Sequence, residues 1–135
     1  MLMFNVNWLA IVVSTVANMV IGALWYGPLL GKPWMKELGV TMDDISSTPM
    51  VPAYLVAILN SFLMAFVLAN VVAWTGVTGV LGGALLGLTM WTGFTGFTFA
   101  ANHAFEGRSL QLWLINSGTY LIGLLVMGAI LAVWQ

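Results

Sequence analysis

Four stretches of this chain, residues 7–26, 53–74, 79–101 and 110–134, contain no Asp, Glu, Lys or Arg. Each is long enough, at about 1.5 Å of rise per residue, to cross the roughly 30 Å hydrocarbon core of a bilayer as a helix. Lipid leaves no water to satisfy backbone polar groups, so a spanning segment must be a helix or part of a closed barrel. Barrel strands would alternate in polarity over about ten residues, whereas these runs are apolar on every side. Only 5% of the residues are charged, against about 25% in soluble domains. The expected fold is therefore all-α: one domain over residues 1–135, an integral membrane bundle of four transmembrane helices. Residues 1–7 carry no Lys or Arg and the following run is too long for an h-region, so it reads as a span rather than a cleaved signal peptide.

The connections agree with helices. Gly27-Pro28 ends the first span, because proline removes a donor and glycine tolerates the turn. Lys32 to Gly39 is a short amphipathic segment. Trp34 and Leu38 share one face and Lys36 and Glu37 lie off it, which predicts a short helix lying in the membrane interface. Thr41 and Asp44 have capping-box spacing, residues 46–52 read as loop, and Pro52 suits the first turn of the second span. Thr75 to Gly79 is a tight uncharged turn, and Glu106-Gly107-Arg108 forms the tip of the third connection.

The chain has three basic residues. Lys32, Lys36 and Arg108 all fall in the first and third connections, which lie on one side of a four-span protein. The positive-inside rule makes that side cytoplasmic and puts both termini outside. Trp8, Trp74 and Trp134 then mark the outer boundary and Trp25, Trp34 and Trp113 the inner one, where an amphipathic indole is most stable. Trp91 alone falls near mid-membrane.

Ion-coupled pumps place ionisable side chains within the bilayer despite their insertion cost. The first span offers only Ser14, Thr15 and Asn18, which argues against proton-coupled transport. Neutral polar residues instead recur at one depth. Asn18, Asn60, Thr95 and Asn116 all fall about 10 Å from the inner interface, with Tyr120 and Trp91 nearby. Such a layer either lines a small cavity or holds helices together, and interhelical hydrogen bonding is the commoner use of intramembrane amides. In the third span Gly83 and Gly87 form one small-residue stripe and Gly93 and Gly96 another, which predicts close helix packing, with this span in the middle of the bundle or at a homodimer seam.

Lys32, Lys36, His103, Glu106 and Arg108 gather at the inner surface. His103 and Glu106 have i, i+3 spacing, but one histidine and one carboxylate do not make a metal site. No cysteine is present, and no nucleophile–base motif, zinc motif or phosphate loop appears. No catalytic residue, metal or cofactor is expected. A formal net charge of -1 leaves no basic footprint for nucleic acid.

Gly22 to Gly27 resembles Gly87 to Gly93, and Leu59-Asn60-Ser61 resembles Ile115-Asn116-Ser117, the pattern of two parallel-repeat helical hairpins. Beyond this internal likeness, Asn7-Trp8, the block Gly22-Ala23-Leu24-Trp25-Tyr26-Gly27-Pro28-Leu29, Gly31-Lys32-Pro33-Trp34-Met35, Glu106-Gly107-Arg108 and Ile115-Asn116 resemble the small bacterial membrane proteins of the domain of unknown function 1761 family. The resemblance covers nearly the whole chain. It implies a compact four-span unit in a prokaryotic cytoplasmic (inner) membrane, and neither an activity nor catalytic residues. Two functions fit these observations. The uncharged spans and glycine stripes favour a structural or accessory bundle that self-associates or joins a larger membrane complex. The polar layer favours a binder or uncoupled transporter of a small-molecule or lipid-like substrate.

Overall fold

The computed structural model describes all residues from Met1 to Gln135, and every regular element in it is helical. Four helices, Trp8–Leu29, Val51–Thr75, Gly79–Phe105 and Leu110–Val133, are long and apolar enough to cross a membrane. The chain is a multi-pass bundle, as its uncharged runs require. The third span differs most from expectation. It continues past residue 101 to Phe105, which carries His103 into the helix.

The first span consists of α1 (Trp8–Leu24) and a π-type turn, Trp25–Leu29, kinked at Gly27 (φ -102°, ψ -105°), where the sequence breaks the helix. Asn7 caps α1, its side-chain oxygen accepting the Ala10 N–H at 3.1 Å. Pro28 has no N–H, so the ladder widens, and the Leu30 N–H bonds back five residues to the Trp25 carbonyl at 2.8 Å. Two short helices follow, α2 (Gly31–Leu38) and α3 (Met42–Ser47). The amphipathic segment is helical at α2, stopped by Gly39 at φ 70°. Trp34 meets Tyr26 edge-on with ring centroids 5.3 Å apart, so α2 folds back on the end of the first span. The Thr41–Asp44 capping box is complete, and the Thr41 N–H and hydroxyl hold the Asp44 carboxyl below its ordinary pKa. Part of the expected loop is therefore helix, and α4 (Val51–Thr75) starts with Pro52 in its first turn.

The third span is α5 (Gly79–Met90), a π-helical segment Trp91–Gly96, and α6 (Phe97–Phe105); the fourth is α7 (Leu110–Val133), capped by Ser109. Hydrogen bonds tie the termini to the second connection. The Asn7 amide donates to the Trp134 carbonyl at 3.3 Å, and Gln135 donates to the Val77 carbonyl at 3.1 Å. At the opposite end the Ser109 hydroxyl donates to Glu37 at 2.6 Å, joining the first and third connections.

Helix α7, not the third span, occupies the middle of the bundle. It packs on α1, α4 and α5, and 44% of its most apolar window is buried against 17% for the third span. The reason is where its small residues lie. Gly128 meets Gly83, and the Leu124 carbonyl meets Gly87, so closely that a Cβ on any of these glycines would overlap the opposing backbone. The expected Gly83–Gly87 stripe is thus a packing stripe, directed at α7. Gly93 is different, since a Cβ there would touch nothing. Gly96 makes room within its own span for the Trp91 indole. On the other side of α7, Ala10 and Ile11 of α1 join Ala65, Phe66, Leu68 and Val72 of α4 in the apolar core with Leu124, Met127, Leu131 and Ala132.

Equivalent hairpins would make the α1–α7 and α4–α5 seams alike. They are unequal, for α1 packs along α7 while α4 barely touches α5. The likeness between Gly22–Gly27 and Gly87–Gly93 does correspond to a shared local feature, as each segment leads into a π turn that begins at a tryptophan.

Gly83→Ala and Gly87→Ala should each destabilise the bundle by about 1–3 kcal/mol, the usual cost of overpacking, and Gly93→Ala should leave it unchanged. Thermal unfolding in a mild detergent measures this. Equal midpoints for all three variants would show that α5 and α7 do not meet backbone to backbone.

Candidate functional site

The open seam between α4 and the third span is a cleft of about 510 Å³, within the range of small-molecule pockets. One wall is α4, with Leu63, Met64, Val67 and Leu68; the other carries Met90, Phe94 and Phe99. Tyr120 and Leu124 of α7 form the floor. Bulky chains face each other here, with none of the small residues that close the α5–α7 seam. Phe94 is 72% exposed, so the cleft opens sideways between two spans.

Its polar tier consists of Asn60, Thr95, Thr98, Asn102 and Tyr120, with no charged residue. The hydroxyls of Thr89, Thr92 and Thr98 all donate to the carbonyl four residues earlier, at 2.9–3.0 Å. The Thr95 hydroxyl would meet Trp91, where the helix has widened into its π turn, and makes no such bond. The Asn60 amide donates at long range to Met64 Sδ (3.4 Å) and to the Tyr120 oxygen (3.5 Å). That leaves the Tyr120 O–H and the Asn60 carbonyl oxygen facing the cleft.

The structure divides the expected polar layer three ways. Asn60, Thr95 and Tyr120 share the cleft. Asn18 donates to Ser61 at 2.8 Å, and its amide oxygen lies against Gly123, so it joins α1, α4 and α7. Asn116 belongs to a third group. It accepts from the Tyr26 hydroxyl at 3.0 Å and lies 3.2 Å from His103 Nε2. Its side-chain amide thus joins Tyr26 of the first span to His103 of the third. Nδ1 is buried without a partner.

His103 is therefore not a member of an inner-surface cluster; it is 6% exposed. The extra helical turn of the third span, and the Asn116 amide opposite, draw it inward. Glu106 instead pairs with Arg108 at 2.5 Å on the surface, so His103 and Glu106 do not converge. Lys32 and Lys36 remain exposed on α2.

The network and the cleft share two helix turns. His103 and Phe99 lie four residues apart on α6, and Asn116 and Tyr120 four apart on α7, so each pair projects from one face. Phe99 stacks on Tyr120 with centroids 5.5 Å apart and meets His103 edge-on at 5.8 Å. Those two matched spacings in consecutive antiparallel helices were the signal available in the sequence. Trp91 lies outside the cleft. Its indole N–H donates to the Ser117 carbonyl at 2.9 Å, Trp25 donates to the Ile115 carbonyl at 2.8 Å, and Trp113 to the Gly96 carbonyl at 2.8 Å. These three indoles clamp α7 to the π turns, a role distinct from anchoring at an interface.

A family model described as a protein of unknown function (DUF1761) matches residues 9–132. The chain belongs to the DUF1761 family. The match takes in all four spans, the cleft and the Tyr26–Asn116–His103 network. No curated protein and no solved structure matches the chain.

Asn116→Leu would leave the Tyr26 hydroxyl and His103 Nε2 without a partner, at about 1–3 kcal/mol for each buried group. Asn60→Leu, on the cleft wall, should stay within about 0.5 kcal/mol of the parent. Chemical denaturation in detergent reads both, and a parent-like Asn116→Leu protein would remove the network from the account.

Proposed function

We propose that this protein is a membrane-embedded binder of a lipid-like small molecule, which enters sideways from the bilayer into the cleft between α4 and α5–α6. One observation carries the reading. The cleft joins an apolar, laterally open upper part to a tier of neutral polar groups whose hydrogen-bonding capacity is partly unspent. Hydrocarbon suits the first and an oxygen-bearing head the second. No nucleophile–base pair stands in the cleft, so binding or uncoupled passage fits better than catalysis. Val67→Trp should fill the cleft and reduce photolabelling by a diazirine-bearing lipid at least about tenfold while the unfolding midpoint holds. Undiminished labelling of α4 and α6 peptides would sink the cleft as the binding place.

A second reading, a structural or accessory bundle, draws on Gly93 and Phe97. Both lie on the outer face of the third span, and Gly93 leaves room for another helix to approach. In that reading a second copy, or a helix of a larger membrane complex, covers this face. Native mass spectrometry after gentle extraction separates the readings, since a retained protein supports the second and a retained small mass the first.

For the setting we propose a prokaryotic inner membrane, with the first and third connections cytoplasmic and α2 lying in the interface. The support is the placement of all three basic residues in those connections. A cysteine at position 135 should react with an impermeant maleimide on intact spheroplasts, and a cysteine at position 107 should not. The reverse pattern would invert the topology.

A further inference from the structure

We infer that the cleft selects a lipid whose head is uncharged and carries a hydroxyl or carbonyl oxygen, and that it rejects anionic phospholipid heads. This inference rests on the cleft reading above and adds the chemistry of the ligand.

No Asp, Glu, Lys or Arg lines the cleft, and the three basic residues lie elsewhere. Arg108 pairs with Glu106 on the surface, and Lys32 and Lys36 sit on α2, which packs against α7 and the first π turn. An anionic phosphate drawn to the depth of Asn60 and Tyr120 would lose its hydration and gain no cation, which strongly disfavours it. A phospholipid can then offer the cleft only an acyl chain, with its head left outside.

The groups in the tier define what does fit. Tyr120 has a hydroxyl proton to give, because it accepts from Asn60 and donates to nothing in the protein. Thr95 is the one threonine of the ladder Thr89, Thr92, Thr95 and Thr98 whose hydroxyl is not spent on its own helix. Two O–H donors can meet a ligand carbonyl or hydroxyl oxygen, and the Asn60 carbonyl oxygen can take a ligand hydroxyl proton. All three are uncharged, so they match a neutral head without a desolvation mismatch. The same chemistry is offered by aliphatic heads, such as the glycerol hydroxyl of a diacylglycerol, and by flat rings, such as the carbonyls of a prenyl quinone. The stacked pair Phe99–Tyr120 beside the donors gives a flat ring a surface to lie on.

The test uses the full-length protein in liposomes with two photoactivatable lipids of identical diazirine-bearing chains, a diacylglycerol and a phosphatidic acid. The diacylglycerol should label peptides containing Asn60 or Thr95 about tenfold more than the phosphatidic acid, the scale of one or two hydrogen bonds. A Tyr120→Phe, Thr95→Val double variant, which keeps shape and apolar contact, should bring the two probes to equal labelling. Competition by a short-tailed quinone more effective than by a matched aliphatic alcohol would assign the head to a ring; the opposite order would assign it to an aliphatic hydroxyl. Equal labelling of the unmodified protein by both probes would overturn the inference while leaving the cleft reading intact, because only a chain would then be held. Absence of labelling by either probe would overturn both.

Discussion

Where Gly83 meets Gly128, two helix backbones touch with no side chain between them. In a bilayer there is little hydrophobic drive to bring helices together, since lipid tails solvate a leucine as well as a neighbouring helix does. Close approach must come from dispersion between well-matched surfaces, and surfaces match best where side chains are absent. Helix α7 supplies such surfaces on several sides. Gly128 receives α5, Gly123 receives Asn18 of α1, and Gly118 receives the Trp25 ring. Three indoles then fasten the π turns and α7 together through hydrogen bonds to backbone carbonyls. The arrangement of the other spans follows from this central helix.

The same physics explains why the cleft stays open. Across it, Leu63, Met64 and Val67 confront Phe94 and Phe99, and neither side has a glycine or alanine stripe to let the backbones approach. Water would force such a gap shut or collapse the helices onto it. Lipid does not, because a tail can fill the space at little cost. An apolar gap that would destabilise a soluble protein is thus a permissible resting state here, and its occupant is set by what the polar tier at its base prefers.

Much of the fold was legible in the sequence because a bilayer requires long uncharged helices, and those are visible without alignment. Packing was less legible. When every face of a helix is apolar, periodicity does not say which face turns inward, so the Gly83–Gly87 stripe was visible while its partner, and hence the centre of the bundle, was not. Gly93 and Gly96 look like a second stripe, yet the π turn between Trp91 and Gly96 rotates them out of line with Gly87. The polar layer does not form one unit. Depth follows from counting residues, whereas the separation of Asn18, Asn60 and Asn116 into three environments depends on helix rotation. His103 was misplaced because the apolar run ends before it; only the Asn116 amide opposite makes one more buried turn worthwhile. Tyr26 and Asn70 were missed because their partners, too, depend on packing: Tyr26 donates to Asn116, and Asn70 accepts the Met3 N–H while its amide donates to the Phe66 carbonyl.

The contrast between Asn116 and Tyr120 shows how one helix face serves two ends. They lie one turn apart on α7, against His103 and Phe99 one turn apart on α6. Asn116 uses both ends of its amide, joining the first span to the third, and contributes rigidity. Tyr120 accepts one weak bond and keeps its proton, and contributes a binding group. Phe99 touches both His103 and Tyr120, so the aromatic wall of the cleft is held by the network beneath it. A binding group on a flexible segment would lose much of its selectivity to the entropy of being ordered. Here the first and third spans are locked to α7 one turn below the tier, and the neutral donors of the cleft are held in place before any ligand arrives.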